Sequence, residues 1–188
     1  MKRAFIIHGW SGSPDEGWFP WLKQELEQEG FQVTIPTMPN TDSPDITEWV
    51  NHLKQIAPDP DEETVFVGHS IGCQTILRYL EGLELKTKVL GAVFVGGWFT
   101  LMNLETDDEK TIAHPWLETP INFDLVKQHT ENFTAIFSDT DPVVPLENKD
   151  LFEVNLNAQT IVEHDMGHFT GSEGVVELPS VLKAVLDL

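Results

Sequence analysis

Ser70, Asp141 and His168 have the residue types, and the order along the chain, of a proton-relay nucleophile. A serine hydroxyl is a weak nucleophile at neutral pH. It needs a base to take its proton, and the base needs an acceptor to fix its tautomer. Ser70 stands in Gly68-His69-Ser70-Ile71-Gly72, after the apolar run Thr64-Val65-Phe66-Val67 and before the amphipathic segment Cys73 to Leu83. Glycine two positions either side of a serine, between a strand and a helix, is the pattern of a nucleophile elbow. Side chains at those positions would strike the neighbouring strand and helix, and glycine also accepts the unusual dihedral angles of such a turn. The helix N-terminus behind the serine favours developing negative charge.

The partners follow in Ser–Asp–His order. Asp141 lies in Ser138-Asp139-Thr140-Asp141-Pro142-Val143-Val144-Pro145, and His168 in His164-Asp165-Met166-Gly167-His168-Phe169. Asp139 and Asp165 are rival acids and His164 is a rival base. The prolines rigidify the loop of Asp141, whereas Asp139 is placed to close a turn. Gly167 fits a tight turn that delivers the His168 ring inward. An oxyanion hole needs two donors. The Ile71 backbone N–H is one, and the Trp10 N–H in His8-Gly9-Trp10-Ser11-Gly12-Ser13 is the expected second. That loop has the wrong spacing for a phosphate-binding or dinucleotide motif. His8, Trp98, Phe99 and Trp116 are the expected lining of the substrate pocket. His164 and His168 are four apart but have no obvious third ligand, so no metal is expected, and no cofactor is implied. His69 is expected to pack under the elbow, and Cys73 to be inert core.

These side chains must be positioned by a scaffold, and the hydropathy pattern describes one. Strands are expected at Arg3–Ile7, Gln32–Ile35, Thr64–Val67, Val89–Val95, Phe133–Phe137 and Gln159–Val162. Helical spacing runs through Trp18, Trp21, Leu22 and Leu26, again through Ile46, Trp49, Val50, Leu53 and Ile56, and finally through Leu178, Val181, Leu182 and Val185. Strands alternating with helices give an α/β three-layer sandwich. The expected sheet has six mainly parallel strands in order 2-1-3-4-5-6, with helices on both faces. Each candidate then sits just past a strand end, on the carboxyl edge where ligands bind. Residues 1–188 read as a single domain. The turn-rich stretch 96–122, rich in tryptophan and acids, reads as a short cap-like insertion over the nucleophile.

Composition narrows the function. A net charge of −20 opposes nucleic-acid binding and highly anionic substrates. One cysteine allows no intramolecular disulfide. The apolar run after Lys2-Arg3 is too short for a signal peptide, and no stretch is long enough to span a membrane. A cytoplasmic protein without membrane association is expected.

Gly17-Trp18, Met38-Pro39, Gly68-His69-Ser70, Pro115-Trp116, Asp141-Pro142 with Pro145, and Gly167-His168-Phe169 together resemble a family. It is that of the small α/β-hydrolase serine hydrolases that includes retinoblastoma-binding protein 9 and its bacterial relatives. The resemblance spans nearly the whole chain. It implies a compact α/β-hydrolase cleaving a small neutral or apolar ester or amide through an acyl-enzyme, with the triad on Ser70, Asp141 and His168. Ile71 departs from the family's small polar residue after the nucleophile, and His8-Gly9 departs from its Pro-Gly-type turn. A protein partner is implied by the resemblance alone. Two other readings of the chain are a non-catalytic binding module on the same scaffold and a related chemistry such as perhydrolysis or C–C cleavage.

Overall fold

A computed structural model describes residues Met1–Leu188. Six strands, β1 (Arg3–Ile7), β2 (Gln32–Thr34), β3 (Thr64–His69), β4 (Gly91–Val95), β5 (Phe133–Ser138) and β6 (Gln159–Glu163), form one sheet. Its order is β2-β1-β3-β4-β5-β6, and every neighbouring pair is parallel. The α-helices are α1 (Phe19–Gln28), α2 (Ile46–Ile56), α3 (Ile71–Glu81), α4 (Asp107–Glu118), α5 (Phe123–Val126), α6 (Asn148–Leu156) and α7 (Pro179–Leu186).

Period-two alternation along the strands divides the core into two layers. Phe5, Ile7, Phe66, Phe94, Ala135 and Phe137 pack against α2, α3 and α6. Ala4, Ile6, Val65, Val67, Val93 and Ile136 pack on the other face, against α1 and α7. All six residues of β3 are buried, as a central parallel strand covered on both faces requires. No helix is long and apolar enough to cross a membrane. The chain turns from the β2 side of β1 to its β3 side, which opens a crevice at the carboxyl ends of β1 and β3. The Gly9–Trp10 loop and the Ser70 elbow both leave the sheet there.

Two helices have faint sequence signals. Residues 96–122 read as a turn-rich stretch, yet α4 occupies Asp107–Glu118. Thr106 and Glu109 form a reciprocal capping box, and three acids in the first turn suit the helix dipole, which offsets the interior Pro115. In α6 only Asn148, Phe152 and Leu156 are buried, too thin a stripe to stand out as periodic. Two strands are shorter than expected. β2 ends at Thr34 instead of Ile35, and β4 starts at Gly91 instead of Val89, whose N–H donates to the His129 carbonyl.

Helix α3 also fastens the connection between β4 and β5. The Gln74 amide donates to the Trp98 carbonyl at 2.8 Å. The buried Arg78 guanidinium donates to the carbonyls of Trp116 and Thr119 at 3.1 and 2.8 Å.

Backbone approaches a glycine most tightly where α3 starts. A Cβ on Gly72 would lie 2.3 Å from the Ile7 carbonyl oxygen, and one on Gly68 would lie 2.8 Å from the Cys73 nitrogen. Glycine-to-alanine in a free helix is stabilising by about 1 kcal/mol. Here the sign reverses. Gly72→Ala is expected to cost more than about 3 kcal/mol in urea unfolding, or to prevent folding. At Gly174, with nothing within 4 Å and φ +86°, alanine is expected to cost only about 1 kcal/mol.

Candidate active site

The elbow holds Ser70 at φ 53°, ψ −121°, a conformation that L-residues rarely adopt and that stores strain. It persists because both sides are pinned. The Ser70 N–H donates to the Val95 carbonyl at 2.9 Å, and the Cys73 N–H donates to the Ser70 carbonyl at 3.0 Å. Ser70 Oγ then stands 2.9 Å from His168 Nε2, and His168 Nδ1 stands 2.7 Å from Asp141 Oδ2. The Asp141 side chain is 1% exposed and that of His168 is 15% exposed. The other carboxylate oxygen of Asp141 accepts the N–H groups of Val143 and Val144 at 2.9 and 2.8 Å. Both oxygens are thus committed, and a neutral imidazole fits this array with its proton on Nδ1. Its Nε2 lone pair faces the serine hydroxyl, so the line can pass a proton from oxygen to nitrogen.

Glycine at 96 leaves room for the ring. Its φ is +54°, and a Cβ there would lie 3.3 Å from His168 Cε1. Beneath the histidine, His69 donates from Nε2 to the His168 carbonyl at 2.8 Å, with the two rings 5.0 Å apart. Burial, and then the neighbouring His168, lower the pKa of His69 to about 3. His69 is therefore a neutral support under the elbow.

The rival groups pair with each other. Asp139 Oδ2 lies 2.5 Å from His164 Nδ1 on the surface, and Asp139 Oδ1 accepts the Asp165 N–H at 3.1 Å. Asp139 thus closes the turn that carries His164 and Asp165 away from Ser70. No group of three or more potential ligands suited to a metal ion is present. Cys73 is buried, its Sγ 3.6 Å from the Val95 carbonyl, and burial pushes its thiol pKa up.

Two backbone donors flank the serine. Ile71 is the first residue of α3, where N–H groups lack an intrahelical acceptor. The Trp10 N–H makes no hydrogen bond within the chain. Its direction is set by the same peptide unit, because the Gly9 carbonyl accepts from His8 Nδ1–H at 2.9 Å and from the Gly12 N–H at 3.1 Å. In a trans peptide the N–H points the opposite way. His8 keeps this tautomer because its Nε2 accepts the Met38 N–H at 3.1 Å, and burial lowers its pKa.

Ser70 and His168 open onto a cavity of ≈450 Å³. Trp10, Trp18, Phe19 and Trp98 give it aromatic walls, and Leu101, Leu104 and Ile112 of the β4–β5 connection close one side. Three residues expected in this pocket are not among its lining. His8 is fully buried beneath the Gly9 loop. Phe99 points the other way from Trp98 and stacks on Phe152 at 4.5 Å. The Trp116 indole is buried in the core layer that holds α2 and α3, and donates to the Pro44 carbonyl at 3.0 Å.

Glu173 is absent from the expectations, yet its carboxylate accepts the His168 N–H at 2.9 and 3.0 Å. The signal for it is Thr170-Gly171-Ser172-Glu173, a capping-box spacing directly after the histidine.

Comparison with known proteins places the chain in a family. The sequence model described as serine hydrolase matches residues 4–187. The chain belongs to the serine hydrolase family. It is 35% identical to YdeN of Bacillus subtilis over 182 residues, covering 96% of this chain and 92% of the relative. It is 26% identical over 187 residues to the serine hydrolase RBBP9 of Rattus norvegicus, covering 98% and 95%. The crystal structure of the B. subtilis ydeN gene product superposes with a TM-score of 0.91 at 29% identity, over 100% of this chain and 98% of that one. Est1E of Butyrivibrio proteoclasticus, solved with ferulic acid, shares the fold at a TM-score of 0.73 and 14% identity, over 99% and 90%.

The neutral His69 makes stability pH-dependent. Its folded pKa lies below the ordinary 6.5, so below pH 6.5 the unfolded chain takes up a proton that the folded chain refuses. The stabilisation is present above pH 6.5 and is lost as pH falls toward 3, by up to about 1.4 kcal/mol per pH unit. In urea titrations at stepped pH, the stability gap between wild type and His69→Gln is expected to narrow as pH falls.

Proposed function

We propose that the protein is a carboxylesterase-like hydrolase of small neutral or apolar esters, working through an acyl-enzyme on Ser70. The observation that carries this reading is the hydrogen-bonded line Ser70–His168–Asp141 opening on an aromatic cavity. In this mechanism His168 takes the Ser70 proton as the hydroxyl attacks the ester carbonyl, then gives it to the leaving alcohol. Asp141 holds the imidazole tautomer and stabilises the imidazolium. The Trp10 and Ile71 N–H groups receive the oxyanion, and each is worth about 2.7–4 kcal/mol in the transition state by analogy with other oxyanion holes. Water then repeats the cycle on the acyl-enzyme.

The whole chain acts as one domain in this reading, with residues 96–122 as a short cap over the acyl site. A cytoplasmic location suits a chain whose single thiol is buried and unpaired. Charge narrows the substrate. Glu16, Asp42, Asp108 and Glu109 line the cavity, and no lysine or arginine does. Anionic acyl groups are therefore repelled.

Ser70→Ala and His168→Ala are expected to lower kcat by about 10³–10⁶-fold with the fold intact. Asp141→Asn is expected to cost about 10³–10⁴-fold, and Asp139→Asn to leave kcat within about twofold. The measurement is hydrolysis of short p-nitrophenyl esters, alongside labelling by a fluorophosphonate probe. Wild type should label and Ser70→Ala should not. A wild-type chain that neither labels nor hydrolyses would instead be a binding protein on this scaffold. Among esters of equal length, a neutral acyl group should exceed a hemisuccinate by about tenfold or more in kcat/KM at low salt.

A further inference from the structure

The loop that delivers His168 is strained. Asp165, Gly167 and Phe169 all have positive φ, at 58°, 53° and 58°. Two of the three carry a Cβ, and each such residue costs on the order of 1 kcal/mol or more. A loop in this state keeps one geometry only if its surroundings overdetermine it.

From the β5 side, Ser138 Oγ accepts the Met166 N–H and Thr140 Oγ1 accepts the Gly167 N–H, each at 3.2 Å. From the other side there is one carboxylate. Glu173 accepts the Thr170 N–H at 3.0 Å and the Thr170 hydroxyl at 2.6 Å. It also accepts the His168 N–H with both oxygens, at 2.9 and 3.0 Å. The Thr170 bonds belong to the capping box of a three-residue 3-10 turn, Gly171–Glu173. The bonds to His168 do not. They fix the backbone from which the imidazole hangs, and Gly167 is shaped to admit them. A Cβ at 167 would lie 2.1 Å from Glu173 Oε1. The carboxylate thus takes the space that any other residue before His168 would fill.

We propose that Glu173 is a positioning residue for the hydrolase reaction, holding His168 where its Nε2 meets the Ser70 hydroxyl. The proposal rests on the assignment of Ser70 and His168 as nucleophile and base. Glu173 touches neither substrate nor reacting atoms. It acts through the histidine backbone, and its exposed place at the loop surface lets it be changed without opening the core.

Misplacing a catalytic group by about 1 Å costs on the order of 10² in rate. Glu173→Ala is expected to lower kcat by about 10–100-fold with KM within about twofold. Fluorophosphonate labelling of Ser70 should slow in parallel. Glu173→Gln keeps one acceptor oxygen for the His168 and Thr170 N–H groups, so it should recover a substantial part of kcat. Proton NMR gives a second readout, because the Nδ1 proton shared between His168 and Asp141 resonates far downfield. That signal is expected in wild type, weakened or broadened in Glu173→Ala, and restored in Glu173→Gln. Circular dichroism and urea unfolding should show both variants folded. If Glu173→Ala labels and turns over at the wild-type rate, or loses activity only through a raised KM, the proposal is wrong. If wild type itself fails to label, the underlying assignment of Ser70 has failed instead.

Discussion

The approach of helix α3 to strand β1 governs the rest of the molecule. No side chain fits at position 72 because the Ile7 carbonyl occupies its space. That contact brings the end of β3 and the start of α3 into one sharp corner. The corner forces Ser70 into a strained backbone, presents its hydroxyl past the sheet edge, and leaves the Ile71 N–H facing outward. The Gly9–Trp10 loop, leaving β1 next door, reaches the same point. A serine displaced by one residue in either direction would keep the fold and lose the alignment.

Strained residues persist where neighbours allow no alternative, and here the constraints come from several elements. Ser70 is tied to β4 through the Val95 carbonyl, and the His168 loop is tied to β5 through Ser138 and Thr140. Asp141 spends one oxygen on the backbone of its own loop before offering the other to the histidine. The site is thus assembled from strands β1, β3, β4, β5 and β6. A parallel sheet is what places five consecutive loops along one edge.

Most of this frame can be read from the sequence. Short apolar runs mark the strands, most plainly the central β3, β4 and β5, which are buried throughout and carry little polar alternation to obscure them. The convergence of Ser70, Asp141 and His168 was legible because glycine and proline punctuate their loops, and Gly68, Gly72 and Gly167 stand where a Cβ has no room. The pocket was less legible. Trp98 and Phe99 are adjacent and equally apolar, and only the backbone decides which ring faces the cavity. Trp116 looked available for substrate, but its indole N–H is spent on the Pro44 carbonyl. His8 was read as a wall and is a prop, since its two ring nitrogens are consumed by Gly9 and Met38. Helices α4, α5 and α6 escaped notice because α4 and α5 rest on side-chain caps and all three on a few core contacts, which periodicity does not register.

The connection from β4 to β5 supplies one wall of the cavity through Leu101, Leu104 and Ile112, while none of Ser70, Asp141 and His168 belongs to it. Gln74 and Arg78 of α3 hold it at the Trp98, Trp116 and Thr119 carbonyls. This wall thus comes from a stretch of chain other than those that carry the three hydrogen-bonded side chains. Substitutions along that wall would reshape the cavity while leaving the hydrogen-bonded line of Ser70, His168 and Asp141 untouched.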